Sequence, residues 1–388
     1  MNLKSFVSVL VNLFFVGGVI LIPAASKLFE FQDDFAVVLF GWLLQLIDYP
    51  LQDFSSDSQG MYLLLLIILV LAILIAGLCK LLIKNEQAIL RLNGYLHVIL
   101  IYYLASRMLV YGCDKLFATQ FYQPEPNTLY TPFGFMTKDI LYWSVMGTSK
   151  VYLIFTGLLE VVPAILLLFR KTRTLGLVCL VLVLTHVLMI NIGFDISVKL
   201  YALFLFLMAL WLLRPQLVSI FYFFNGKMVQ LQSRHVNLGI AVWLRNGIKT
   251  LVIGCMLLES FSFVWMTGYL DDQEIEHSEL YGAYEIIDDT SPGMIKRVFF
   301  HRAGYFITQS FDDDFRDYQL NVKNSVLTLR DYKNNLNEVA FELYDNALML
   351  KGSFLHSDDP LFFRKLDYEN LPALQDNFHW TTESFALK

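Results

Sequence analysis

The sequence predicts a two-part membrane protein: an all-α bundle of about seven transmembrane helices, then a C-terminal antiparallel β-meander or small β-barrel domain. Three observations predict it. Hydrophobic residues make up 56% of the 388 residues and charged residues 16%, against roughly 25% charged in a soluble domain. The charge is also uneven, with 11 Lys/Arg against 22 Asp/Glu in residues 270–388 but 18 against 13 in residues 1–269. Finally, the hydrophobic pattern changes near residue 280 from long apolar runs to short alternating ones. A slightly basic, charge-poor front joined to an acidic tail implies two parts in two solvents. The tail's negative charge argues against a nucleic-acid or anionic-lipid surface there, since both need a basic patch.

A crossing helix needs roughly 20 apolar residues. The clearest span runs without a charge from Met61 to Cys79, and others fall at about 6–25, 95–113, 150–169, 174–193, 197–213 and 247–266. The first reads as an uncleaved anchor, because its apolar run is long for a signal peptide even though Pro23-Ala24-Ala25 resembles a cleavage site. Segment 35–50, ending in Asp48-Tyr49-Pro50, is shorter and reads as an interfacial or re-entrant helix. With the N-terminus inside, the cytoplasmic segments collect twelve Lys/Arg and the outer loops five. That asymmetry is the positive-inside pattern, and seven crossings then put the tail outside. The expected domains are 1–94, N-terminal helices with an outer loop; 95–213, a four-helix core; 214–269, a cytoplasmic linker and the last span; and 270–388, the outer β-rich domain.

In the tail, eight runs rich in β-branched and aromatic residues begin with YGAYEII at 281–287 and end with LFFRKLDY at 361–368. Several alternate with the two-residue period of a half-buried strand, as in Leu327/Leu329, Val339/Phe341/Leu343 and Leu348/Leu350. Turns are expected at Ser291-Pro292-Gly293, Arg302-Ala303-Gly304 and Asp345-Asn346. Eight short strands suit a small closed barrel or a sandwich, with either a ligand calyx or a packed core inside.

Ionisable residues within a span are costly, and each is a functional hypothesis. Tyr103, Arg107, Tyr111 and Lys115 recur at steps of four on one helix face, with Asp114 beside them. Glu160 sits mid-span between Gly157 and Pro163; His186 and Asn191 share a later span, with Asp195 and Lys199 at its outer turn; Glu259 lies in the last span. At ~1.5 Å per residue, all fall in the outer half of the bundle or at its middle. Facing inward, they would form a polar pocket open to the outside. The plainer readings are a structural Arg107–Glu160 ion pair, a satisfied core histidine at 186, and solvated or snorkelling Asp114, Lys115, Asp195 and Lys199. Cys79, Cys113, Cys179 and Cys255 form no C-x-x-C pair, and no His/Cys/Asp/Glu spacing matches a metal motif.

YGCDKLFATQF at 111–121, TPFGF at 131–135, LYWSVMGTSKVYLIFTGLLEVVPAILLLFRKTRTLG at 141–176 and HVLMINIGFDISVKLYALFLFLMALWLL at 186–213 resemble the DoxX-like membrane proteins. LYGAYEII at 280–287 and Phe378-His379-Trp380 resemble the β-rich tail of that group's long form, although Asp376-Asn377 and Thr381-Thr382-Glu383 flank the latter where the family has other residues. The resemblance implies a DoxX-like four-helix core at 95–213 in a bacterial inner (cytoplasmic) membrane, with the C-terminal domain periplasmic. Some relatives of this type are assigned as quinone-reducing subunits. It therefore implies a redox-associated subunit that binds a quinone or lipid, with Arg107, Glu160 and His186 serving the ring oxygens. The alternative is a non-enzymatic accessory or scaffold protein whose β-domain holds a periplasmic or membrane partner protein or a lipid. Membrane lipids are expected partners on either reading.

Overall fold

The computed structural model describes residues 2–23, 38, 41–42, 56–227, 241–287, 295–352 and 357–375. The expected interfacial segment 35–50, the turn at 291–293 and Phe378-His379-Trp380 lie wholly or almost wholly outside them. The chain forms two compact units, one of Met1–Gln120 with Val151–Asp271 and the other of Phe121–Lys150 with Asp272–Lys388.

The first unit is helical. Its main helices are α1 (Leu3–Leu21), α2 (Gln59–Leu82), α3 (Glu86–Leu116), α6 (Lys150–Leu168), α7 (Arg173–Gly193), α8 (Lys199–Leu213) with its continuation α9 (Leu217–Phe224), and α10 (Val242–Ser260) followed by α11 (Ser262–Thr267). Side chains at Asn2, Ser58 and Asn85 accept backbone N–H bonds and start α1, α2 and α3. Among the described residues, six helices are long and apolar enough to cross a membrane, counting α8 and α9 together. The expected seventh is broken, since the axis turns by 60° between α10 and α11. The Ser260 hydroxyl at that break donates 2.8 Å to the Met256 carbonyl, a back-bond of the kind that bends helices.

The buried stripe of α2 is Met61, Leu64, Ile68, Ala72 and Ala76, spaced by three or four residues. Its opposite face leaves Leu66, Val70, Ile73, Leu74 and Leu78 exposed. The core of the unit is hydrocarbon, centred on Leu100, Leu104, Met108, Leu180 and Met208.

The second unit is a closed barrel of eight antiparallel strands in sequence order. They are β1 (Gly282–Ile286), β2 (Ile295–His301), β3 (Tyr305–Ser310), β4 (Phe315–Lys323), β5 (Val326–Arg330), β6 (Leu336–Tyr344), β7 (Ala347–Gly352) and β8 (Ser357–Lys365). Pairing of Tyr284 with Lys365 and Ile286 with Phe363 closes the ring, which leaves no free edge to aggregate. Every expected strand is present, and the barrel is realised rather than the sandwich. Alternate residues fill the interior: Tyr284, Val298, Phe300, Phe306, Leu327, Leu329, Val339, Leu348, Leu350 and Phe363 are fully buried or nearly so. Eight strands leave just enough room for side chains. Of the two expected interiors, the packed core is the one observed.

Residues 121–150 belong to the barrel unit, not to the helical core expected at 95–213. They carry the short helices α4 (Pro126–Leu129) and α5 (Lys138–Gly147). The cause is an apolar patch on the barrel's outer wall, where Ala283, Phe299 and Ile307 point away from the interior. Tyr130 packs on it, 6.1 Å ring to ring from Phe299, and the Arg297 guanidinium lies 5.0 Å from the Tyr130 ring centre. Phe315 stacks on Phe299 as well, and Phe299 is fully buried.

Candidate functional site

The polar groups of the helical unit form pairs rather than one pocket. Arg107 on α3 meets Glu259 on α10, with Nη2 to Oε1 at 2.5 Å. Two turns further along α3, Lys115 meets Glu160 on α6 at 2.9 Å and also donates to Gln120 at 2.8 Å. All four ionic side chains are buried. Steps of four residues exceed the 3.6-residue turn, so eight residues rotate the face by about 80°. Arg107 and Lys115 therefore address different neighbours.

The second pair depends on a close crossing. A Cβ on Gly112 would lie 2.9 Å from the Gly157 carbonyl oxygen, and one on Gly157 would lie 2.8 Å from that of Gly112. Only glycine permits this approach. Lys115 and Glu160 each follow their glycine by three residues, and helical side chains lean back toward their own N-terminus, so the two reach each other across the crossing.

Aromatic hydroxyls surround the first pair. The Arg107 guanidinium lies 5.8 Å over the Tyr103 ring, the Tyr103 and Tyr201 hydroxyls are 2.9 Å apart, and Tyr111 meets Tyr201 edge-on at 6.4 Å. A third set joins helix starts. The Asp57 carboxylate accepts the backbone N–H groups of Lys199 (3.0 Å) and Leu200 (2.8 Å), capping α8. Lys199 also pairs with Asp195 at 2.8 Å. Asp114 accepts the Thr119 hydroxyl at 3.0 Å, closing the turn after α3.

His186 and Asn191 part company. The buried stripe of α7 is Gly176, Leu177, Leu180, Leu184 and Asn191, and at 100° per residue His186 lies about 200° from Leu184. Asn191 is buried and His186 exposed. The trio Arg107, Glu160 and His186 is not assembled: Arg107 pairs with Glu259, Glu160 with Lys115, and His186 faces away.

The barrel unit holds an ionic cluster that the sequence did not suggest. Arg302, at the turn between β2 and β3, bonds Glu125 through Nε and Asp272 through Nη1. Its backbone N–H donates to Glu125 at 3.3 Å, and its guanidinium lies 4.4 Å over the Tyr122 ring. Glu125 and Asp272 are buried. The cluster ties the 121–150 segment and the turn before β1 to the barrel. The Arg302 guanidinium is desolvated, but the two carboxylates outweigh that and raise its pKa. His301 Nε2 stands 3.8 Å from Glu125. Burial, aided by the Arg302 charge and opposed by Glu125, lowers the His301 pKa below the ordinary imidazole value.

No protein-family model matches the chain. Over 122 residues, 31% of this chain, it is 32% identical to the uncharacterized protein YwoB of Bacillus subtilis (strain 168), and the match covers 77% of that protein. The chain belongs to the YwoB family. YwoB is itself uncharacterized, so membership of the YwoB family says which chains share this segment and leaves its work to the geometry. No solved structure matches.

Proposed function

We propose that the chain is a non-enzymatic accessory protein of a bacterial cytoplasmic membrane, in which a multi-pass bundle anchors an extracytoplasmic barrel that holds a partner. The exposed apolar faces of the helices support the membrane reading, because an aqueous surface rarely tolerates such contiguous hydrocarbon. The orientation rests on the basic residues, with the N-terminus cytoplasmic and seven crossings when the bent α10–α11 pair counts as one. DoxX-like kinship of the bundle belongs to the same proposal and rests on the motifs at 111–121, 131–135, 141–176 and 186–213.

The observation that carries the accessory reading is the self-pairing of the buried charges. An acid and a base poised for quinone chemistry must present unspent valences to a ligand, whereas Glu160 and Glu259 are engaged by Lys115 and Arg107. Extraction of the purified protein tests this reading. It expects no stoichiometric quinone and no quinone-dependent turnover, and recovery of either contradicts it. Alkaline carbonate washing tests the anchor, with the chain expected in the pellet.

A further inference from the structure

Between α1 and α8 an open groove of about 480 Å³ is walled by Phe14 and Phe15 on one side and Leu207, Leu210 and Trp211 on the other. At one end the helices touch, since Phe204 packs within 2.4 Å of where a Gly18 Cβ would stand. At the other end they are tied by polar groups. The Trp211 indole N–H donates to Asn12 Oδ1 at 2.8 Å, and the Asn12 amide donates to Asn93 at 2.9 Å.

These bonds fix the indole plane, and the Arg214 guanidinium stacks on it at 3.8 Å. Arg214 is exposed and also lines the groove. Stacking on the ring holds this exposed cation at the groove, and a guanidinium pairs well with phosphate. A hydrocarbon trough with an oriented cation at its mouth matches an amphiphile with an acyl tail and an anionic head.

We propose that this groove binds one anionic phospholipid, its acyl chain along Phe14, Phe15, Leu207 and Leu210 and its phosphate on Arg214. The site rests on the membrane reading above but not on the accessory one. It is also distinct from the buried ion pairs, since none of its residues takes part in them.

The test uses the full chain in detergent, with lipid extraction followed by thermal unfolding on adding back phosphatidylglycerol, phosphatidylcholine or inorganic phosphate. The wild type is expected to retain about one anionic phospholipid per chain and to gain more stability from phosphatidylglycerol than from phosphatidylcholine. Inorganic phosphate should add nothing. Arg214→Gln should abolish the preference, and Leu210→Trp should fill the trough and reduce binding of both lipids while leaving the cation in place. Equal stabilisation of the wild type by the two lipids, a preference that survives Arg214→Gln, or quinone in the groove in place of phospholipid would overturn the proposal. Release of the chain by carbonate would instead sink the membrane reading, so the two failures are distinguishable.

Discussion

The helical unit and the barrel unit both bury ionic groups, but they distribute them by different rules. In the helices, Arg107 and Glu259 come from positions 152 residues apart and Lys115 and Glu160 from positions 45 apart, and each pair crosses the hydrocarbon core. In the barrel the described interior is aliphatic and aromatic save for the Thr308 hydroxyl and carries no charge, and the Arg302 cluster sits on the connecting segments. The difference follows from backbone geometry. A strand sends alternate residues to opposite faces, so a charge can always be placed outside. A helix packed on several sides has less freedom, and a charge on its inner face must find a partner on another helix.

That contrast can be broken or sharpened by four measurements. The largest effect belongs to Glu259→Gln, which removes the carboxylate charge facing the buried Arg107 and should cost roughly 3–5 kcal/mol; membrane levels and the detergent melting temperature read it. Arg302→Ala in the barrel unit removes charge-assisted bonds at a partly accessible position. It should cost about 1.5–3 kcal/mol and loosen the 121–150 segment, which limited proteolysis would detect.

A smaller effect is expected from pH. His301 has a lowered pKa in the folded state, so the unfolded chain binds its proton first as pH falls below the ordinary value of about 6.5. Stability of the barrel unit should therefore decline from pH 7 toward pH 5, and His301→Gln should flatten that part of the curve. A steeper decline in the variant would mean that the histidine is protonated to advantage beside Glu125. Least of all, His186→Ala should change stability by no more than about 0.5 kcal/mol and leave membrane levels unchanged.

The strands were legible because alternation of Leu327/Leu329 and Leu348/Leu350 reports directly which face is inside. Six long apolar helices were legible for a similar reason, since length and hydrocarbon content are local properties. The break at Ser260 was not, because it depends on one hydroxyl's choice of a carbonyl partner. Among the polar residues, helical periodicity alone separates the buried Asn191 from the exposed His186, a distinction that depth along the span does not make. The partner of Arg107 was hidden for another reason. Spacing along α3 gives the face of each charge, but not which helix stands opposite it. Glu259 was visible as an acid within an apolar run, yet only packing assigns it to Arg107. The Arg302 cluster was more deeply hidden, with Glu125, Asp272 and Arg302 drawn from three separate segments.

The most direct test of self-paired, structural charges is a double-mutant cycle on Arg107 and Glu259, read as the amount of folded protein in the membrane and its melting temperature. The account predicts that Arg107→Met and Glu259→Met each deplete the protein, while the double variant recovers most of the wild-type level, because two apolar groups replace a buried pair whose charges compensate each other. Single variants present at normal level and stability would contradict it, and so would a double variant no better than the worse single one.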